Sequence, residues 1–140
     1  MIALLAFVAA VAQTIVLQAP NAKLNLEVAD TFNTREYGLM YRTRLEPHGG
    51  MIFVFPHDGH QTFWMKNTLI SLDMIWVKSN GTIDTIAADV PASSPKTPGE
   101  SITRGGYGKY VIELAAGEAQ RAGLHSGMRL AIPRMEPRDS

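Results

Sequence analysis

The sequence contains no cysteine among its 140 residues. This absence excludes disulfide bonds, thiolate metal sites and a cysteine nucleophile, and it leaves the redox compartment of the protein open. The chain also lacks a charge imbalance, because 13 basic residues are matched by 13 acidic residues. A neutral chain without a basic face does not favour nucleic acid or an anionic membrane surface as a partner.

The length and composition are those of one globular domain. Hydrophobic residues make up 46% of the chain, and no internal repeat or low-complexity tract interrupts it. A chain of this size can bury a single substantial core. We predict one domain over residues 13–133, followed by a polar tail at 134–140.

The first residues of the chain, MIALLAFVAAVA, form a short apolar run that predicts a signal peptide over residues 1–12. Ala10-Val11-Ala12 has the small-x-small pattern that a signal peptidase cuts, so the mature chain would start at Gln13. The run is shorter than the about 20 residues of a membrane-spanning helix, and we expect no stable membrane span after cleavage. This predicts a periplasmic or secreted protein. Since no lysine or arginine precedes the run, the alternatives are that translation starts further upstream or that the run is an ordinary hydrophobic first strand.

Strand patterns dominate the rest of the sequence. Short β-branched or alternating segments, separated by turn residues, predict a mainly β fold of about seven or eight antiparallel strands, arranged as a sandwich or barrel. The predicted strands cover residues 14–18, 23–27, 51–55, 62–68, 72–78, 82–89, 110–114 and 128–132. Two short helices are predicted at 34–41 and 116–122, a polar loop at 56–61, and a long surface loop at 90–108. Asn80-Gly81 between two apolar segments predicts a hairpin.

Polar residues stand inside several otherwise apolar motifs. The segment Phe63-Trp64-Met65-Lys66-Asn67-Thr68 has the pattern of a buried strand, yet it contains a lysine and an asparagine. A buried polar group without partners costs about 1–3 kcal/mol, and more if it is charged. Arg42 and Asp73 are embedded in apolar motifs in the same way. The candidate ligand-binding residues are Arg42, Trp64, Lys66, Asn67 and Asp73.

These polar residues have two interpretations. In the first they form a structural network, in which Asp73 pairs with Lys66 or Arg42 and Asn67 bonds backbone groups in a turn, because buried charges are normally paired. In the second, Arg42 and Lys66 clamp a carboxylate, phosphate or sulfate group of a ligand, and Trp64 or Tyr41 supplies an aromatic wall.

The same motifs resemble one known family. They are Gly38-Leu39-Met40-Tyr41-Arg42, Gly50-Met51-Ile52-Phe53-Val54-Phe55, the Phe63–Thr68 run, Leu72-Asp73-Met74, the Val111–Gly117 segment and Gly123-Leu124-His125-Ser126-Gly127. In this order they are similar to domain of unknown function 192, over about residues 24–132. The resemblance implies a small bacterial or archaeal protein, often preceded by an export signal, with a mainly β, sandwich-like fold. It implies no assigned activity.

Two further groups could carry chemistry. His57-Asp58-Gly59-His60 could hold zinc or copper, but it lacks a third defined ligand and is more simply interpreted as a solvated loop, so we predict no metal and no cofactor. Glu113 lies in an apolar strand, where it could act as a general base with a raised pKa or simply face solvent.

Three function classes remain open. The favoured hypothesis is a module that binds a small polar or anionic ligand near Arg42, Lys66 and Asn67. The alternatives are a metal-independent enzyme that uses Lys66 or Asp73 for acid–base chemistry, and a structural or envelope-interaction protein without pocket chemistry. The sequence does not decide whether the protein is an enzyme, which ligand it holds, or its oligomeric state.

Overall fold

The computed structural model describes residues 13–139, and the predicted signal peptide at 1–12 lies outside them. The strands of this part of the chain are β1 (Thr14–Gln18), β2 (Lys23–Ala29), β3 (Gly49–Trp64), β4 (Leu72–Val77), β5 (Ile83–Val90) and β6 (Thr103–Ala115). The helices are α1 (Phe32–Tyr37) and α2 (Glu118–Arg121), with a 3-10 turn at Gly99–Ser101. The strands form one sheet in the order β1-β2-β3-β6-β4-β5.

One pair of strands in the sheet is parallel. β1 and β2 form the predicted hairpin, and β2 then runs parallel to β3, whereas the β3–β6, β6–β4 and β4–β5 pairs are antiparallel. A parallel pair needs a crossover connection rather than a tight turn. The β2–β3 connection contains α1, and so α1 is placed beside the sheet rather than at its edge.

Both faces of the sheet are covered. Alternation along β6 sends Tyr110, Ile112 and Leu114 into a first core, together with Leu24 and Ile75. The intervening positions face a second core that contains Phe53, Met65, Met74, Trp76 and Val111. We call these the first face and the second face. The first is covered by α2 and the C-terminal segment, and the second by α1 and the loops that follow β3 and β5.

The mainly β prediction is confirmed, but its details change. Between residues 13 and 139 there are six strands in one open sheet, rather than a sandwich or barrel of seven or eight. The loop predicted at 56–61 is wrong, because β3 continues through Pro56. The register between β3 and β6 shifts between Val54 and Gly59, so Pro56 lies where no ladder N–H is needed. The strand predicted at 128–132 is reduced to one bridge, between Thr82 and Arg129.

The loop predicted at 90–108 is wrong in its last third, because β6 begins at Thr103. The loop was predicted from a segment rich in proline, serine and glycine, yet a glycine of this segment serves close packing within the sheet. A Cβ atom at Gly106 would lie 2.5 Å from the ring of Trp76. The Trp76 indole N–H donates to the Gln61 carbonyl at 2.8 Å, so the absence of a side chain at Gly106 admits this buried ring.

The helices are shorter than predicted. Thr31 caps α1, because its hydroxyl accepts from the Thr34 N–H while the Thr34 hydroxyl accepts from the Thr31 N–H. α1 ends before Gly38, whose φ of 50° combined with a ψ of −130° is easily adopted only by glycine. No helix within residues 13–139 is both long and apolar enough to cross a membrane.

Candidate functional site

A cleft of about 230 Å³ opens on the second face, between α1, the end of β3 and the turn that follows β3. Aromatic rings form part of its walls, and the rings that line it are Phe32, Tyr37, Phe53, Phe55, Phe63 and Trp64. Its charged lining residues are Arg35, Glu36, Lys66 and Glu113. An apolar cleft with a few convergent polar groups is the usual form of a small-molecule site.

Glu113 is the most unusual group in this cleft. It lies near the centre of the sheet, paired with Met51 of β3 and Met74 of β4, and only 4% of its surface is exposed. Its carboxyl makes no hydrogen bond or ion pair with any residue between 13 and 139. Every fully enclosed side-chain oxygen in that range has a partner, and so the carboxyl oxygens of Glu113 must reach the cleft.

Burial raises the pKa of the Glu113 carboxyl to about 8. The charged form is disfavoured because the surrounding side chains cannot replace its hydration. At neutral pH Glu113 is therefore mostly a neutral acid, which can donate one hydrogen bond as well as accept others.

Lys66 supplies a cation to the same cleft. Its Nζ lies 5.1 Å from the centroid of the Trp64 ring, which is a cation–π contact. Its ammonium group has no acidic partner in the part of the chain that the structure describes. Lys66 and Glu113 thus share a cleft without pairing with each other.

A tight turn places Lys66 in the cleft. The predicted strand at 62–68 is wrong beyond Trp64, because the Thr68 N–H donates to the Met65 carbonyl at 3.0 Å and closes a turn. Asn67 has a φ of 52°, a conformation that asparagine tolerates better than most residues. Its carbonyl accepts from the Tyr41 N–H at 2.8 Å, and its side-chain amide lies 3.9 Å from the Met40 sulfur. Asn67 therefore has a structural role that ties the turn to the segment after α1.

Gly99 packs closely against the backbone of this turn, and we expect Gly99→Ala to destabilise the protein. A Cβ atom there would lie 2.0 Å from the Met65 carbonyl oxygen and 2.7 Å from the Lys66 nitrogen. Because backbone must move to relieve the clash, the free energy of unfolding should fall by about 3 kcal/mol, at the upper end for overpacking. Urea denaturation measures this loss.

Gly59→Ala is the matched control, since its nearest atom would be 3.6 Å away. It should change the free energy of unfolding by less than about 1 kcal/mol. Equal stability of the two variants would show that Gly99 does not support the turn.

The α1 wall of the cleft is held by the C-terminal segment. Arg35 donates to the Val54 carbonyl at 3.1 Å and lies 3.8 Å from the Asp139 carboxylate. Asp139 also accepts from the Phe32 N–H at 2.5 Å, and Arg138 pairs with Asp30 at 2.8 Å. The charge of Arg35 is therefore already partly compensated, unlike that of Lys66.

Asp73 lies on the first face, away from the cleft. One of its carboxylate oxygens accepts from the Asp89 N–H at 2.9 Å, and the other accepts from the N–H groups of Gly117 and Ala119 at 3.0 and 2.9 Å. The expected pairing of Asp73 with Lys66 or Arg42 is wrong. This carboxylate instead joins β4 to the end of β5 and to the start of α2.

Arg42 lies in another groove, beside Glu27. Its guanidinium makes two hydrogen bonds to the Glu27 carboxylate, at 2.7 and 3.0 Å. These hydrogen bonds raise the pKa of Arg42. Of the candidate ligand-binding residues, the structure thus brings Trp64 and Lys66 together in the cleft, with Asn67 in the supporting turn, and places Arg42 and Asp73 elsewhere.

The histidines at 57 and 60 lie on β3 rather than in a loop. Asp58 between them accepts from the backbone N–H and the hydroxyl of Ser79, at 2.8 and 2.5 Å. Within residues 13–139, no three histidine, cysteine, aspartate or glutamate side chains lie close enough together to hold a metal ion.

Glu113 was not among the predicted ligand-binding residues, although its place in an apolar strand was noted. The only signal was an acid within an apolar strand, and the favoured interpretation was a solvent-facing residue. That interpretation is wrong, because β6 lies in the middle of the sheet and both of its faces are buried. Phe32 and Arg35, which form the opposite wall, carried no signal because only the crossover brings α1 over the second face.

Residues 14–132 match a family described as "Uncharacterized ACR" and called DUF192. The chain belongs to the DUF192 family. The predicted resemblance is thereby confirmed. All of the residues that line the cleft lie within the matched residues. No curated protein matches this chain significantly.

Two solved structures are similar to this DUF192 chain. One, from Sinorhizobium meliloti 1021, is provisionally described as a transcription regulator. It is 34% identical, with a TM-score of 0.72, and the match covers 84% of this chain and 90% of the other. The second is a protein of unknown function from Novosphingobium aromaticivorans DSM 12444. It is 30% identical, with a TM-score of 0.68, and the match covers 85% and 84%.

Proposed function

We propose that this protein is a module that binds a small organic ligand with an anionic group in the cleft on the second face. The observation that supports this proposal is that Lys66 and Glu113 share one partly aromatic cleft, and that neither charge-bearing group has a hydrogen-bond or ion-pair partner within residues 13–139. Buried or partly buried polar groups are normally satisfied, and exceptions concentrate at binding and catalytic sites.

Charge selects an anion over a cation. Arg35 is partly compensated by Asp139, Glu36 lies at the exposed edge of the cleft, and Glu113 is mostly neutral at pH 7. The uncompensated charge inside is therefore that of Lys66. A ligand anion would form an ion pair with the Lys66 ammonium group, whereas a cation would be repelled by it.

The other predicted classes receive less support. A metal-independent enzyme was predicted from Lys66 or Asp73, but both carboxylate oxygens of Asp73 accept backbone hydrogen bonds. The name of the Sinorhizobium relative suggests regulation of transcription, yet a formal net charge of +0 gives no electrostatic basis for DNA binding by this chain.

We further propose export to the periplasm or medium, which the apolar sequence at 1–12 supports.

Thermal-shift screening tests the proposed function. The panel contains organic carboxylates, phosphates, amines, sugars, nucleotides and divalent metals. A ligand at 100 times its dissociation constant should stabilise the protein by about 2.7 kcal/mol, which is a shift of several degrees. We expect shifts from anionic compounds and their loss in Lys66→Met.

Lys96→Met is the matched control, because Lys96 is exposed in the loop after β5. It should respond to each ligand as the parent does. Absence of any response across the panel, or equal responses of the Lys66 and Lys96 variants, would contradict the proposed function.

A further inference from the structure

Building on the proposed function, we infer that the ligand is an aromatic monocarboxylate whose carboxylate is held between the ammonium group of Lys66 and the carboxyl group of Glu113. The inference adds a ligand class and a proton linkage to the proposed anion site. It rests on the shape of the cleft and on the two groups within it that lack hydrogen-bond and ion-pair partners among the described residues.

The apolar part of the cleft fits one aromatic ring. The whole cleft has a volume of about 230 Å³, and an apolar cavity of about 150 Å³ holds benzene. Phe53 and Phe63 meet edge to face with their ring centroids 4.8 Å apart, and Phe55 lies 6.1 Å from Phe63. These rings present a rigid wall on which a further ring can stack or pack edge to face.

The polar part of the cleft requires an acceptor-rich group. Lys66 can only donate hydrogen bonds, and a protonated Glu113 carries one O–H donor. A carboxylate accepts from both at once and carries the single negative charge that balances Lys66. An ammonium group would meet Lys66 as a like charge, and a neutral amide would leave Lys66 without a counter-charge.

The neighbours of Glu113 within the sheet favour its neutral form, whereas cations elsewhere in the cleft would favour its ionised form. From β3 and β4 its direct neighbours are Met51 and Met74, which are apolar. From α1 the groups that line the cleft are Arg35, already beside Asp139, together with Glu36 and Tyr37, and the turn contributes Lys66. Asp73 on the neighbouring strand points to the opposite face, where it bonds backbone N–H groups.

The sign of the proton linkage follows from these charges. The pKa of Glu113 in the free protein is about 8, and a bound carboxylate raises it further, because a second negative charge disfavours ionisation. Binding above pH 8 must therefore take up a proton. The affinity should be constant below about pH 7 and should fall by up to about tenfold for each pH unit above 8.

Isothermal titration calorimetry with three probes tests this inference. Phenylacetate, phenylacetamide and phenethylamine share one ring and a short arm but differ in charge. We expect phenylacetate to bind at least about tenfold more tightly than the other two at pH 7, and its affinity to fall at least about tenfold between pH 7 and 9.5. At pH 8.5, titrations in buffers of different ionisation enthalpy should show uptake of more than about half a proton by the unmodified protein.

Two variants separate the roles of the two groups. Glu113→Gln keeps a neutral donor of the same size, so phenylacetate should still bind, with less than about a twofold change in affinity across the same pH range. Lys66→Met should weaken phenylacetate by at least about tenfold and remove the preference over phenylacetamide. Lys96→Met should leave both properties unchanged.

Different failures have different meanings. If phenethylamine binds best and tightens with rising pH, Glu113 acts as an anion and the inference is overturned, although a ligand cleft remains. If phenylacetate binds without proton uptake, or if Glu113→Gln keeps the pH dependence, the proton linkage is overturned. If none of the ring compounds binds while another anion gives a Lys66-dependent shift, the ligand class is wrong but the proposed function stands.

Discussion

Asp73→Asn is expected to lower the free energy of unfolding by about 3–5 kcal/mol, which corresponds to a fall of about 10 °C or more in Tm. The carboxylate accepts hydrogen bonds from three backbone N–H groups, one in β5 and two at the start of α2. An asparagine has only one acceptor oxygen, and its NH₂ group would point at N–H donors in either orientation. Buried donors that lose a charged acceptor cost about 1–3 kcal/mol each. Chemical and thermal denaturation both measure this loss.

Asp89→Asn is a matched control for this prediction. The Asp89 side chain is exposed, and its φ of 51° is one that asparagine also adopts. The same chemical change there should alter stability by no more than about 0.5 kcal/mol. If Asp73→Asn is as stable as Asp89→Asn, then this carboxylate does not hold β4, the end of β5 and α2 together.

Glu113→Gln is expected to stabilise the protein increasingly as the pH rises. In the unfolded chain this carboxyl ionises near its ordinary pKa of 4.5, whereas in the folded protein its pKa is about 8. Between these values the unfolded chain binds fewer protons than the folded chain, so the stability of the parent falls as the pH rises. The advantage of the glutamine variant should grow by roughly 4 kcal/mol between pH 5 and 8, at 1.36 kcal/mol per pH unit. Urea denaturation at several pH values measures it.

Glu100→Gln provides the reference for that pH profile. Glu100 is exposed in the 3-10 turn, so its variant should follow the pH dependence of the parent. Parallel profiles for the Glu113 and Glu100 variants would show that the Glu113 carboxyl is well solvated. The neutral acid assigned to the cleft would then be wrong, whatever ligand the cleft holds.

Local sequence signals predicted the elements whose geometry is local. The β1–β2 hairpin and the Asn80-Gly81 hairpin follow from alternation and turn chemistry, and the structure has both. The errors come from packing between distant segments. Pro56 and the glycines of β6 have the composition of loops, but a register shift accommodates the proline and the Trp76 ring fills the space beside Gly106.

The candidate site was predicted in the same uneven way. Lys66 and Trp64 were identified correctly as neighbours because they are close in sequence, and they line one cleft. Arg42 and Asp73 were grouped with them because all are polar residues in apolar motifs. Their actual partners are Glu27 and three backbone N–H groups, and no pattern within a motif could indicate those. Glu113 joins the cleft only because β6 lies between β3 and β4.

That strand order has a consequence for how the chain folds. β6 is the last strand in sequence but lies at the centre of the sheet, where it pairs with β3 from Gly50↔Leu114 to Trp64↔Thr103. The paired residues of β3 and β6 are far apart in sequence, so a long stretch of chain must close into a loop before they can pair. Folding should therefore be slow for a domain of this size. A chain that lacks residues beyond 102 would expose the unpaired edges of β3 and β4, which are templates for aggregation. Productive folding should therefore begin only when the last third of the chain is available.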